Sequence, residues 1–347
     1  MGKVRSGRVC LWACVAAVVA GICIRVVTKQ SAPEAEYIRL QGQVFHTIYH
    51  ITYRDTARYE REIRELFDRF DGSMSMFNDT SVISRMNRND TSVVADHYFR
   101  TVFEKALTVS ERTGGAFDMT VAPLVNLWGF GVNARTDVDA SRVDSILEYV
   151  GYRKVRLDSA GHLVKDDPRT ILDASSIAKG YMCDVLADFL QSRGVSDYMV
   201  EIGGEIALHG SNPNGRAWTV GIERPVDDTL QTEHGYQTCL SLTEGGLATS
   251  GNYRNFYEQG GKKYAHTIDP HTGRPIQSDV LSATVIAPDC MTADAYATAF
   301  MVLGRERALQ VLAADTSIEG YLICPSSSDS SRLEVFSSPG FARYIKE

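Results

Sequence analysis

A run of apolar residues from Val9 to Ile24, preceded by Lys3, Arg5 and Arg8, decides which part of this chain can fold as a globule. Such a run cannot lie on a water-exposed surface, so any soluble domain must be built from the residues C-terminal to it. Positive charges ahead of an apolar run keep that end in the cytoplasm and send the downstream domain across the bilayer. The run reaches about the length of a thin span if Arg25 snorkels to the interface. It reads as a retained anchor first. A cleaved signal would carry a shorter core and a small-x-small cut site. Lipid attachment ranks third, because Ile22 is bulky before Cys23 and the run before Cys14 is short. The expected organisation is an N-terminal signal or anchor over residues 1–27, a polar tether over 28–36, and one large domain over 37–347. That domain would then lie on the far side of the membrane from the cytoplasm.

With 44% apolar residues, the part after the tether can bury a large core. A net charge of −7 and the lack of a long Lys/Arg run exclude nucleic acid as the main partner, since binding phosphate backbones needs concentrated positive charge. Cys183, Cys239, Cys290 and Cys324 are far apart and form no metal framework; buried free thiols are the plainer reading. Alternating β-branched and aromatic residues from Val44 to Tyr53 predict a strand. Helical spacing covers Ala57 to Phe70 and His97 to Thr113, with Gly114-Gly115 as a stop. A short helix is expected over Asp144 to Val150, then a hairpin around Ala160-Gly161 and a helix from Ser175 to Arg193. Strands are expected at 198–202, 218–222, 246–249, 281–287 and 320–324, with a helix from Thr292 to Leu303 ended by Gly304. Mixed strands and helices with several hairpins favour α+β over a doubly wound fold.

Several segments carry candidate chemistry. In the alanine-rich stretch Ala293 to Ala299, Asp294 and Thr298 lie one helical turn apart and share a face. Two hard oxygen donors there suit Mg²⁺, which takes one or two carboxylates and fills its shell with water and phosphate oxygens. The plainer reading makes them capping groups. Thr113 to Gly129 joins glycines to Phe117, a flat apolar face, and Asp118, an anion able to accept from a sugar or base; it suits a nucleotide, or only a helix stop and core packing. Ile171 to Tyr181 ends a strand in small residues and opens a helix with Lys179 about a turn in; helix N-termini favour phosphate, but by spacing alone this is only a capped helix start. Glu201 to Glu205 reads as a glycine turn. Leu247 to Asn255 with Lys263 to His266 makes a plausible pocket wall.

Taken together, these motifs resemble the ApbE family, the FAD:protein FMN transferases. The resemblance runs from about Val44 to Gly304. It rests on Gly115-Ala116-Phe117-Asp118, Pro123 to Trp128, Asp173 through Lys179-Gly180-Tyr181, Gly203-Gly204, Thr249 to Tyr253, His266 to Gly273, and Asp294 with Thr298. It implies one large α+β, T-fold-related domain with mixed, largely antiparallel sheets and packed helices. It also implies an exported enzyme that uses Mg²⁺ to transfer the FMN half of FAD to a threonine or serine of a target protein, releasing AMP. Carried onto this chain, the metal ligands would be Asp294, Thr298 and an oxygen near Ser176. The flavin nucleotide would contact Phe45, Phe77, Ala116, Phe117, Asp118, Asp173, Lys179 and Ile268, and His266 would be the general base. Phe77 stands where many members have a tyrosine and so cannot donate a hydrogen bond, and Ala297 replaces a second acidic residue found in some. Acceptors would be electron-transfer subunits of NADH:quinone reductase or Rnf type. FAD hydrolysis to FMN and AMP, and non-catalytic FAD storage, remain the alternatives.

Overall fold

The computed structural model describes residues 35–130, 138–225, 235–252, 256–259, 262–265, 267–329 and 332–346. Residues 37–54 and 58–347 group as one unit, which carries nearly all of the sheet and its helices. The anchor run at Val9 to Ile24 lies outside the described residues. Among those described, no helix is long and apolar enough to cross a membrane.

Eight strands form one sheet: β1 (Glu36–Val44), β2 (Thr47–Asp55), β3 (Tyr198–Ile202), β4 (Glu205–His209), β5 (Glu244–Gly251), β6 (Ser282–Ala287), β7 (Glu319–Pro325) and β8 (Leu333–Ser337). Their order across the sheet is their order along the chain, and each pair from β2 to β8 is antiparallel. The fold is therefore a meander with insertions, the α+β antiparallel arrangement expected. Among the described residues, the connection between β2 and β3 holds six α-helices: α1 (Glu60–Met74), α2 (Val82–Asn87), α3 (His97–Arg112), α4 (Ala122–Leu127), α5 (Ala140–Leu147) and α6 (Ala178–Ser192). A seventh, α7 (Cys290–Ala314), joins β6 to β7.

Side chains alternate across a strand, so the sheet feeds two cores. Ala207, Ala248, Val285 and Leu322 face a core shared with α1, α3, α6 and α7. Their neighbours Ile206, Leu247, Ile286 and Ile323 face a second core. The hairpin of Trp218–Glu223 and Tyr236–Leu242 closes that second core. Burial on both faces explains why all six residues of β6 are buried.

The structure corrects the strand expected over Val44 to Tyr53. Phe45 and His46 form a two-residue turn between β1 and β2, with φ of 49° and 60°. Turns of this kind favour Asn-Gly because both central residues need positive φ. A bulky pair gives no such signal, so the strand pattern runs straight through it. Gly304 does end the first part of its helix, at φ 73° and ψ 171°, but helix resumes on the far side. The four cysteines outside the anchor run are free thiols.

The start of α7 is held with unusual completeness. A helix leaves its first N–H groups without internal partners. Here the Asp289 carboxylate accepts from Thr292 N at 2.7 Å, and the two oxygens of Asp184 accept from Cys290 N and Met291 N, each at 2.8 Å. Gly246 of β5 lets this helix end press onto the sheet, since a Cβ there would lie 2.2 Å from Cys290 N. Asp184→Ala is expected to destabilise the fold by about 1–2 kcal/mol, the usual scale for losing such a cap. Thermal melting checks this; an unchanged midpoint would contradict the capping role.

Candidate functional site

The site is assembled where α6 crosses α7. Gly180, at the start of α6, donates its N–H to Asp294 Oδ2 at 3.0 Å. Only glycine permits this approach, because a Cβ would sit 2.5 Å from Cys290 O and 2.8 Å from Asp294 Cβ. Gly180→Ala should therefore push α6 from α7, costing about 1–3 kcal/mol as overpacking does. A melt matching wild type would show that the crossing can yield.

Asp294 is 3% exposed. Burial raises its carboxyl above the ordinary aspartate range, while the Lys179 charge and the Gly180 N–H pull it down. Four residues on, the half-buried Thr298 shares a 3.3 Å hydrogen bond with Ser250 of β5. Asp294 and Thr298 are thus not capping groups; Asp289 and Asp184 hold the helix start instead. One carboxylate with nearby hydroxyls is a hard-oxygen donor set, and a carboxylate disfavoured by burial gains most from a cation, so these residues fit Mg²⁺. Among the described residues no group of three His, Cys, Asp or Glu converges to hold a metal. Ser176 is half-buried two residues ahead of α6.

Lys179 is ion-paired with Glu205, the first residue of β4. Burial opposes its charge, but Asp294 and Glu205 together hold it protonated above the usual lysine range. Burial and then the Asp294 charge lift the Glu205 carboxyl to about 7, against the pull of Lys179. Glu205 sits directly after the tight turn Gly203-Gly204, where both glycines have positive φ.

The other predicted residues are tied to this crossing through the segment before α6. Asn87 holds Leu172 by hydrogen bonds of 2.8 and 2.9 Å, and Asp173 N donates to Met119 O at 2.6 Å. A parallel bridge between Val121 and Ile171 aligns the two stretches. Asp118 is buried; its oxygens accept from Thr120 N, Thr120 Oγ1 and Tyr152 N at 2.6–2.8 Å. Burial raises its carboxyl, and those donors lower it. Ala116 and Phe117 are buried too, so Phe117 packs in the core and does not present an open flat face. What this loop can offer a ligand is backbone. Ile268 is buried beside Leu124, Leu127 and Trp128, and Trp128 Nε1 donates to Gly273 O at 2.8 Å.

Phe45 reaches the crossing by ring contacts: it lies 5.7 Å from Phe70, which lies 5.9 Å from Tyr181 on α6. Phe77 is 73% exposed and meets the His46 ring edge-on at 5.0 Å. Its open face could stack on a flat ligand without any hydroxyl contact. His266 lies outside the described residues. Its neighbour Thr267 is fixed, donating through Oγ1 to Asn252 Oδ1 at 2.9 Å and accepting from Ile276 N at 3.0 Å.

A sequence model described as the ApbE family matches residues 45–322. The chain belongs to the ApbE family. The FAD:protein FMN transferase of Vibrio cholerae is 40% identical over 291 residues, covering 81% of this chain and 86% of that protein. The protein of the same name from Escherichia coli K12 is 31% identical, covering 88% of each chain. Among solved structures, the flavin transferase ApbE from Vibrio cholerae superposes with a TM-score of 0.80 at 37% identity, covering 89% of this chain and 99% of that one. The ApbE protein from Thermotoga maritima gives 0.78 at 25% identity, covering 90% and 100%.

Within this ApbE chain, Glu205 is the residue that sequence reasoning passed over. Glu201 to Glu205 reads as a turn, and Gly203-Gly204 make one, but Glu201 and Ile202 end β3 and Glu205 opens β4. The available signal was an acid placed directly after paired glycines, which a tight hairpin turns back onto its own sheet.

Proposed function

We propose that this chain is an FAD:protein FMN transferase: it forms a phosphoester between the FMN phosphorus and a threonine or serine oxygen of a target protein, and breaks the FAD pyrophosphate to release AMP. The observation that carries this reading is the placement of the buried Asp294 beside Lys179 at the crossing of α6 and α7, in a family whose relatives bear that enzyme name. Breaking a pyrophosphate requires neutralising charge on the phosphoryl oxygens and on the leaving group.

Asp294 and Thr298, with an oxygen near Ser176, hold Mg²⁺, which supplies charge neutralisation at the phosphates when bound. Lys179 adds a fixed positive charge on the same side. Phe77 and the backbone of Ala116 to Asp118 orient the flavin nucleotide, with Phe45, Asp173 and Ile268 shaping their support. His266 takes the proton of the acceptor hydroxyl, since a histidine with a pKa near about 6.5 is suited to that transfer. The apolar run at Val9 to Ile24, with positive charges ahead of it, supports a membrane-anchored enzyme with its domain on the far side from the cytoplasm, where electron-transfer subunits of NADH:quinone reductase or Rnf type would be its acceptors. In this organisation residues 1–27 are the anchor, 28–36 the tether and the rest the transferase.

Acceptor-dependent AMP release separates transfer from simple FAD hydrolysis. AMP formed only when the acceptor is present supports transfer; equal release without it would make the enzyme a pyrophosphatase.

A further inference from the structure

Three charges meet at the crossing: Asp294, Lys179 and Glu205. Lys179 spends its ion pair on Glu205, with no direct pair to Asp294 among the described residues. Glu205 is 5% exposed, and among the described residues its buried Oε2 has no hydrogen-bond partner. Leaving a carboxylate oxygen desolvated and unpaired is costly, so a fold that only needed to neutralise Lys179 gains nothing from this placement. The backbone is shaped to allow it. Gly203 sits at φ 65°, and a Cβ there would come within 2.9 Å of Thr47 Oγ1 and 3.4 Å of Glu205 Oε2.

We propose that Glu205 is a positioning residue that holds the Lys179 ammonium off Asp294, keeping the Asp294 carboxylate free to bind a divalent cation. A lysine ammonium is a mobile point charge on a flexible stem. Without Glu205, the nearest remaining carboxylate is Asp294, and a Lys179–Asp294 pair competes with the cation for the same oxygens. With Glu205 in place, two carboxylates and one ammonium leave the site one negative charge in excess, which a cation can answer. The inference rests on the reading of Asp294 as a metal ligand.

The test is a double-mutant cycle on metal affinity, made with the folded protein and Mg²⁺ or Mn²⁺ alone by calorimetry at mildly alkaline pH. Glu205→Gln keeps the shape and removes the charge; Lys179→Met removes the competitor. Simple long-range electrostatics makes the two effects additive. Positioning makes them coupled, because Lys179 sits on Asp294 only when Glu205 is gone. Removing Lys179 is expected to tighten metal binding about tenfold more in the Glu205→Gln background than in wild type. The same factor in both backgrounds would overturn the inference. No binding by wild type at all would overturn the metal reading itself, and is distinguishable because all four proteins would then be silent. Should Lys179→Met fail to fold, a crystal structure of metal-free Glu205→Gln decides. Lys179 Nζ within hydrogen-bonding distance of Asp294 supports the proposal, and Nζ left in its original place refutes it.

Discussion

Asp294→Ala is expected to lower FMN transfer by about a thousandfold or more, the scale seen when a preorganised electrostatic group is removed from an active site. The loss stems from position. Asp294 is the buried carboxylate at the crossing of α6 and α7, and it stands one turn from Thr298. Alanine also strands the Gly180 N–H, so some loss of stability would accompany it. Asp294→Asn separates the two effects, because the amide oxygen can still accept from Gly180 while the charge is gone. The asparagine variant should melt near wild type, bind no Mg²⁺ by calorimetry and turn over no FAD. Transfer at the wild-type rate in excess Mg²⁺ would remove Asp294 from the metal site.

His266→Ala should fall nearly as far, by about 10²–10⁴ in kcat, the range typical of a lost general base. FAD affinity should change little, because the histidine is assigned to the acceptor hydroxyl and not to the nucleotide. The wild-type rate should decline as falling pH protonates the histidine, since the protonated ring accepts nothing. The variant should lose that limb. A parallel drop in FAD binding, or an unchanged pH profile, would instead make His266 a structural residue.

The parts of this molecule that were legible in the sequence are those governed by local spacing. Asp294 and Thr298 share a face because a helix turns every three to four residues, and Gly304 and Gly194 end helical stretches at positive φ. The strand expected over 281–287 forms as β6, although nothing local in it shows that both of its faces are buried. What escaped depends on contacts distant in the chain. The Phe45-His46 turn has no glycine or asparagine to announce it, so the expected strand starts at Val44, the last residue of β1, and runs through the turn into β2, while the rest of β1 goes unannounced. Phe117 offered an aromatic beside an acid, but only the packed core shows that its ring faces inward. Glu205 acquires its meaning from Lys179 and Asp294, which are placed beside it by the sheet and the α6–α7 crossing. No periodicity within Glu201 to Glu205 encodes that.

The most direct test is to incubate the domain from residue 35 onward with FAD, Mg²⁺ and a threonine-bearing acceptor domain, then weigh the acceptor by intact mass spectrometry while assaying AMP. The account predicts an acceptor heavier by one FMN, AMP in equal amount, and the loss of both on adding a chelator. AMP and free FMN with the acceptor unmodified would contradict it.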